Sequence, residues 1–423
     1  MSLKLHPACL SGTLAAPASK SEAHRRMICA GLSQGETVLD GFMESDDMAA
    51  TRRCLKSLGA EFSLNDDTLT IRGASRKTFG SPMMDCGESG ATLRFFVPIA
   101  MAQANGGVFR MHGSLSKRPM DVYRDLFVPQ GTNWRMGVGT DRSAELHVLG
   151  RLANGHYELP GNVSSQFVSG LLFALPLLGG DSTLTVLPPV ESEGYIRMTL
   201  EALRQSGIVY EETAPFTWRI PGRQQYQPVS GRLTGDYTQA AMFLCVAALG
   251  HKVTVTGLNP VTTQGDRAIL SYLEAMGAVI TENENGITVE GGRLHGAEFD
   301  MHSCPDLAPI LALTCQLAEG ESRLRRCGRL RLKESDRLTG TVDILNAMGG
   351  NARIEGDDIV VTGVRQLHGG ATLKTNNDHR MVMLAAMAAL HADSPVTVED
   401  ETAVSKSWPD FFNVYASLGG QME

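Results

Sequence analysis

Two cations and two hydroxyls open one apolar segment of this chain, in the run Ala18-Ser19-Lys20-Ser21 with Arg25 just beyond it. If that segment is helical, free backbone N–H groups and the positive end of the helix dipole join them, which is the chemistry of a phosphate cradle. Gly87-Glu88-Ser89-Gly90-Ala91-Thr92-Leu93-Arg94 has the form of a tight anion-binding turn, and Val163-Ser164-Ser165-Gln166 offers two hydroxyls and an amide. Further along stand Pro305-Asp306, the mixed run Lys333-Glu334-Ser335-Asp336-Arg337, and Asn377-Asp378-His379-Arg380. Each has an ordinary structural reading beside the chemical one. Ser and Asp at these places are good helix N-caps, and Lys333–Arg337 is equally a salt-bridged surface turn. Ser192 and Tyr195 open the segment VESEGYIRM, where both pass as structural.

Five of these polar heads, all but Lys333–Arg337, together with a sixth at Gly235-Asp236, are the first words of one sentence repeated six times, about 70 residues apart. Each head precedes an Ala-rich apolar helix, a Gly/Asp/Glu turn and a β-branched strand. A second helix follows, ending in Leu58-Gly59-Ala60, Met276-Gly277-Ala278 or Met348-Gly349-Gly350, and then two short strands. Glycine just past the last helical turn is a C-cap signal. The pattern predicts an α/β fold of six helix–strand–helix–strand–strand units. The sixth unit stops at its second helix, FFNVYASLGG, so the N-terminal LKLHPACLSG is free to complete it as a strand, with both termini in one domain. Six units divide into three and three, with a crossover in the polar stretch of residues 222–231. An open repeat array with no catalytic role is the alternative architecture.

The chain has 423 residues and a net charge of −8, with an ordinary hydrophobic share of 43%. An acidic protein whose basic residues gather in the heads (Lys20, Arg25, Arg94, Arg337, Arg380) suits small anionic substrates better than nucleic acid. Its 8 cysteines are scattered without a Cys-x-x-Cys pair, which predicts reduced, buried thiols in a cytoplasmic protein. The N-terminus lacks the apolar core of a signal peptide, and runs such as LLFALPLL are too short to span a bilayer. No His/Cys cluster or HExxH suggests a metal.

The ordered set SKS…R, GESGATLR, KRP, VSSQ, PD, KESDR, NDHR and SKSWPDFF resembles the 5-enolpyruvylshikimate-3-phosphate (EPSP) synthase family along essentially the whole chain. The resemblance implies two similar domains, each of three βαβαββ-type units forming an inside-out α/β barrel, joined by a hinge that the chain crosses twice. It places the first domain at residues 14–227 and a discontinuous second one at 1–13 and 228–423, with hinge points near residues 12–16 and 226–230. The implied reaction moves the carboxyvinyl group of phosphoenolpyruvate to the 5-hydroxyl of shikimate 3-phosphate and releases phosphate, on the route to chorismate and the aromatic amino acids. The family's needs imply no cofactor or metal, glyphosate as an inhibitor at the phosphoenolpyruvate position, and a cytoplasmic monomer.

Matched motif by motif, the resemblance assigns shikimate 3-phosphate to Lys20, Ser21, Arg25, Ser164, Ser165, Gln166, Ser192, Tyr195, Asp306 and Lys333. It assigns phosphoenolpyruvate to Lys20, Gly90, Arg118, Gln166, Arg337, Arg380 and Lys406, and the proton transfers to Asp306 and Glu334 beside Lys20. The residue types fit that chemistry. Two polyanions need a cationic site, and addition followed by elimination needs carboxylates of separated pKa. The chain departs from the commoner family pattern in the first head, which reads KSEAHRR (Lys20–Arg26) where many relatives have KSxSNR, at Glu88 and Ala91, and at Arg329, where some relatives place an Asn against the shikimate phosphate. The sister reaction on UDP-N-acetylglucosamine is the alternative. Ser21 after Lys20, and a GSLSKRP loop with neither Cys nor Asp, argue against it.

Overall fold

The computed structural model describes residues 2–74 and 80–423. The chain forms two compact units, one of Ala18–Leu233 and one of the N-terminal stretch through Pro17 together with Thr234–Glu423. The first unit carries helices α1 (Lys20–Leu32), α2 (Asp46–Ser57), α3 (Gly90–Ala104), α4 (Asp121–Phe127), α5 (Ser165–Ala174) and α6 (Glu193–Gln205). The second carries α7 (Tyr237–Ala248), α8 (Ala268–Ala275), α9 (Ala308–Gln316), α10 (Arg337–Ala347), α11 (His379–Ala389) and α12 (Phe411–Ser417).

Six four-stranded sheets share one order. A short leading strand runs parallel to the strand after the head helix, as in Glu298–Asp300 beside Glu321–Arg325, and an antiparallel hairpin follows at Asn351–Glu355 and Asp358–Thr362. Strand Ser2–His6 fills the sixth sheet between Val396–Glu399 and Gln421–Met422. The N-terminal segment therefore completes the last repeat, as expected. The two-residue strand after α12 is an addition to that expectation.

The leading strands of the first and fourth repeats are exchanged. Ser11–Ala15 precedes α1 in sequence but pairs with Lys252–Thr256, and Gly231–Arg232 precedes α7 but pairs with Glu36–Asp40. The chain passes between the units immediately after each of these strands.

Within each unit the head helices form the core and the sheets face outward. Every residue of α7 and of α11 is buried. An all-round apolar helix is stable only where it is surrounded, whereas the strands alternate buried and exposed positions and wet one face. Local signals set the helix ends. Ser19, Ser45, Ser89 and Ser164 cap α1, α2, α3 and α5 through their side chains, and Asp236, Asp336 and Asp378 cap α7, α10 and α11. At the other end Gly59, Gly277 and Gly349 adopt φ of 101°, 98° and 78°. The next residue then donates back into the last turn, as Ala60 N–H does to Leu55 O at 3.1 Å. Seven of the cysteines are buried, but Cys9 is exposed, which corrects the expectation for that thiol. No described helix is long and apolar enough to cross a membrane.

One histidine pair, buried at His251 and half-buried at His391, makes the second unit acid-sensitive. His251 Nδ1 accepts the Leu10 N–H at 2.8 Å, and its ring stacks edge-on against His391 at 4.9 Å. Burial, and then the charge of His251, pushes His391 down to about 3. The unfolded chain takes up that proton near pH 6.5, before the native state can. Stability is therefore whole above that pH and falls below it, by up to about 1.4 kcal/mol per pH unit. Urea midpoints measured from pH 7.5 to 5 should fall less steeply in His391→Phe than in the parent. Equal slopes would remove this pair from the acid response.

Candidate active site

In the first unit the head of α1 gathers partners from three other helices. Lys20, the first residue of α1, ion-pairs with Asp47 of α2 at 2.9 Å. Arg25 is buried under α6. Its Nε donates to Thr199 Oγ1 at 2.8 Å, and its Nη groups donate to Tyr195 O at 2.8 Å and Ser21 O at 2.7 Å. Ser169 of α5 lies 3.5 Å from Nη2 and bonds Thr199 at 2.7 Å. The hydrogen-bond partners of Arg25 among the described residues are thus neutral, and burial without a carboxylate lowers its pKa to about 10. A guanidinium in that setting is an electrostatic seat for an anion.

The α3 and α5 heads are clamped together. Arg94 Nη1 donates to Gln166 Oε1 at 2.7 Å, and its guanidinium lies 4.9 Å over the Phe167 ring. Tyr123 of α4 donates to the carbonyls of Arg94 and Phe167, and Gly170 lets that hydroxyl approach where any Cβ would collide. Gly90 has a similar use: a Cβ there would strike Arg118 Nη1, so the missing side chain lets a cation rest against the start of α3. Ser164 caps α5, Ser165 is its buried first residue, and Ser192 precedes α6 in the left-handed conformation with φ 55°.

The second unit assembles the carboxylates. Arg337, only 1% exposed, donates through Nη1 to Asp306 at 2.9 Å, through Nη2 to Glu334 and Asp378, and through Nε to Asp378 at 2.8 Å. Four of its five N–H groups are therefore spent on three carboxylates. Lys333 bonds Asp306 at 3.0 Å. Burial alone would raise the Asp306 carboxyl, but Lys333, Arg337 and Arg380 outweigh it and hold it far below the usual carboxylate range. Lys406 donates to the Asn377 carbonyl at 2.7 Å. Arg380 is different. It is buried, and among the described residues its Nε and Nη1 have no hydrogen-bond partner.

The residues expected from sequence thus fall into two clusters. Lys20, Ser21, Arg25, Gly90, Arg118, Ser164, Ser165, Gln166, Ser192 and Tyr195 lie in the first unit, and Asp306, Lys333, Glu334, Arg337, Arg380 and Lys406 in the second. Sequence reasoning missed several supports. Asp47 carried only a Ser-Asp-Asp cap signal, and Arg94 stood in its head as one cation among several. Asp266 carried no signal. Burial, and then the charge of Asp306, raises Asp266 to about 6, and it accepts from Thr238 at 2.9 Å. Glu88 lies against Gly113, and Arg329 sits close enough to Lys333 to depress its pKa, after burial itself.

Two three-repeat units with buried helices, each presenting charged side chains at its helix heads, suit the handling of small anions. A sequence model of the family EPSP synthase (3-phosphoshikimate 1-carboxyvinyltransferase) matches residues 6–415. The chain is 37% identical over 416 residues to a 3-phosphoshikimate 1-carboxyvinyltransferase of Clostridium perfringens, covering 98% of this chain and 97% of that protein. It is 36% identical to the enzyme of the same name from Clostridium kluyveri, covering 100% and 98%. The chain belongs to the EPSP synthase family. Its fold matches a solved EPSP synthase from Acinetobacter baumannii with a TM-score of 0.80 at 24% identity, covering 100% and 99% of the two chains. It also matches the enolpyruvyl transferase NikO from Streptomyces tendae with 0.79 at 19%, covering 100% and 98%.

Proposed function

We propose that this protein transfers the carboxyvinyl group of phosphoenolpyruvate to the 5-hydroxyl of shikimate 3-phosphate, releasing phosphate. The observation that best supports this reading is Arg380, a buried guanidinium whose Nε and Nη1 lack partners among the described residues. Such groups cost too much to leave dry unless an anion meets them. Arg25 supports the same reading from the first unit, through its neutral partners.

In the reaction, the 5-hydroxyl oxygen bonds to C2 of phosphoenolpyruvate, its proton goes to a carboxylate, and the methylene carbon gains a proton. Elimination then removes a methyl proton as the C2–O bond to phosphate breaks. Asp306 and Glu334 are our candidates for these transfers, with Lys20 and Lys333 neutralising the developing charge. Asp306 as it stands is too strongly held in its ionised form to be a good base. Substrate phosphate and carboxylate drawing on Lys333 and Arg380 would raise its pKa toward the working range.

Shikimate 3-phosphate engages chiefly Lys20, Ser21, Arg25, Ser164, Ser165, Gln166, Ser192 and Tyr195, with phosphoenolpyruvate at Gly90, Arg118, Gln166, Arg337, Arg380 and Lys406. Glyphosate occupies the phosphoenolpyruvate position, and the protein works as a cytoplasmic monomer.

Phosphate release on mixing the protein with phosphoenolpyruvate and either shikimate 3-phosphate or UDP-N-acetylglucosamine tests the reading. Release with the first acceptor only, inhibited by glyphosate in competition with phosphoenolpyruvate, is expected. Release with the second only would overturn it.

A further inference from the structure

A chain of buried polar groups joins three helices of the first unit, and substrate binding as proposed above does not use it. His24 Nδ1 lies 2.8 Å from Thr51 Oγ1, Thr51 Oγ1 lies 2.8 Å from Thr92 Oγ1, and Thr92 Oγ1 donates to Ser89 Oγ at 2.9 Å. His24 is on α1, Thr51 on α2 and Thr92 on α3, and Ser89 is the N-cap of α3. All four are at most 2% exposed.

The proton order along this thread follows from counting. Each hydroxyl has one proton. Thr92 gives its proton to Ser89, so Thr51 must be the donor to Thr92. Thr51 then has none left for His24, so His24 must donate from Nδ1. A proton on Nε2 as well would be a buried donor with nothing to receive it, since Nε2 has no hydrogen-bond partner among the described residues, so the ring is neutral with Nε2 bare. The surroundings agree. Burial, then the charges of Lys20 and Arg25, depresses His24 well below its ordinary value, so Nε2 stays unprotonated.

We propose that His24 is a positioning residue: as the Nδ1–H tautomer it drives a one-way hydroxyl thread that locks the head of α3 to the helix carrying Lys20 and Arg25. The thread ends at Ser89, whose neighbour Gly90 is the place where Arg118 rests against α3. Arg25 and Gln166 are held by separate bonds, to Thr199 and Arg94. Loosening the thread therefore disturbs the phosphoenolpyruvate side more than the shikimate 3-phosphate side, an inference that rests on the substrate assignment above.

Three variants test it: His24→Asn, His24→Leu and Thr51→Val. The asparagine amide nitrogen takes the place of Nδ1 and can still donate, leucine cannot, and valine cuts the thread while keeping the ring. His24→Leu and Thr51→Val should each raise the KM for phosphoenolpyruvate about tenfold, with the KM for shikimate 3-phosphate within about twofold, the scale of one lost buried hydrogen bond. His24→Asn should stay within about threefold of the parent. If His24→Leu does not fold, Thr51→Val against His24→Asn carries the comparison. Nitrogen-15 NMR of the unliganded protein should show a histidine with protonated Nδ1 and bare Nε2, absent from His24→Asn.

An Nε2–H tautomer, equal damage in the Asn and Leu variants, or equal rises in both KM values would overturn the proposal. A parent that releases no phosphate from this substrate pair would refute the assigned reaction, while the NMR tautomer would still decide the thread.

Discussion

Replacing Arg337 with alanine should lower the unfolding free energy by about 3–5 kcal/mol, the scale for removing one partner from a buried ion network, and should abolish turnover. The guanidinium is the only group bonded to all three of Asp306, Glu334 and Asp378 among the described residues. Asp378 has a fully buried side chain. Without Arg337 these carboxylates remain inside the protein as mutually repelling charges, and each must either hydrate or protonate.

The pH dependence gives the effect a signature. Asp306 is depressed in the folded parent, so its contribution is present above about pH 4 and is lost as pH falls through lower values. In the variant Asp306 loses one of the cations that depress it and takes up its proton earlier. The gap between the two proteins should therefore narrow on acidification. Urea denaturation at pH 7.5 and 4.5 measures it. A variant within about 1 kcal/mol of the parent at pH 7.5 would show that the network is hydrated rather than buried, and that Arg337 is not its hub.

The parts of this fold legible in the sequence are those set over three or four residues. A serine or aspartate cap and a left-handed glycine stop are local hydrogen bonds, so Ser19, Ser89, Asp236, Gly59 and Gly277 could be read directly. The repeat of those signals carried the six-unit architecture, though not the leading strand of each sheet, and the missing last strand carried the return of Ser2–His6. What could not be read was decided by packing. Arg337 meets Asp378 across 41 positions and Asp306 across 31. No spacing rule links them, and the Lys333–Arg337 run looked like a solvated turn. Of the exchanged leading strands, Gly231–Arg232 has two residues, too few for any strand periodicity to show. The hydroxyl thread is equally opaque, because Thr51 and Thr92 are ordinary helix threonines until three helices bring them together. In the candidate site, the head residues came from their pattern, while their supports Asp47, Thr199 and Asp266 appear only once the helices pack.

Lys20→Ala should lower kcat/KM by at least about 1,000-fold, some 4 kcal/mol of transition-state stabilisation, and weaken both substrates. Two effects compound. The first is loss of an ammonium at the head of α1, where the helix dipole already favours anions. The second is the carboxylate left behind. Asp47 bonds Lys20 at 2.9 Å and its side chain is only 11% exposed, so removing the lysine exposes incoming phosphate to an unneutralised negative charge in a poorly hydrated place. A double-mutant cycle separates the two. Asp47→Ala alone removes that ion pair and should cost little more than about tenfold in kcat/KM. Added to Lys20→Ala, it should recover about tenfold, because the repelling charge is gone. Calorimetry with each substrate, alongside phosphate release on protein of unchanged melting temperature, gives the binding and turnover parts. If folded Lys20→Ala turns over within about tenfold of the parent, Lys20 is only a structural partner of Asp47. If the second substitution makes matters worse instead of better, Asp47 itself acts on the substrates, and the first unit works with a carboxylate as well as its cations.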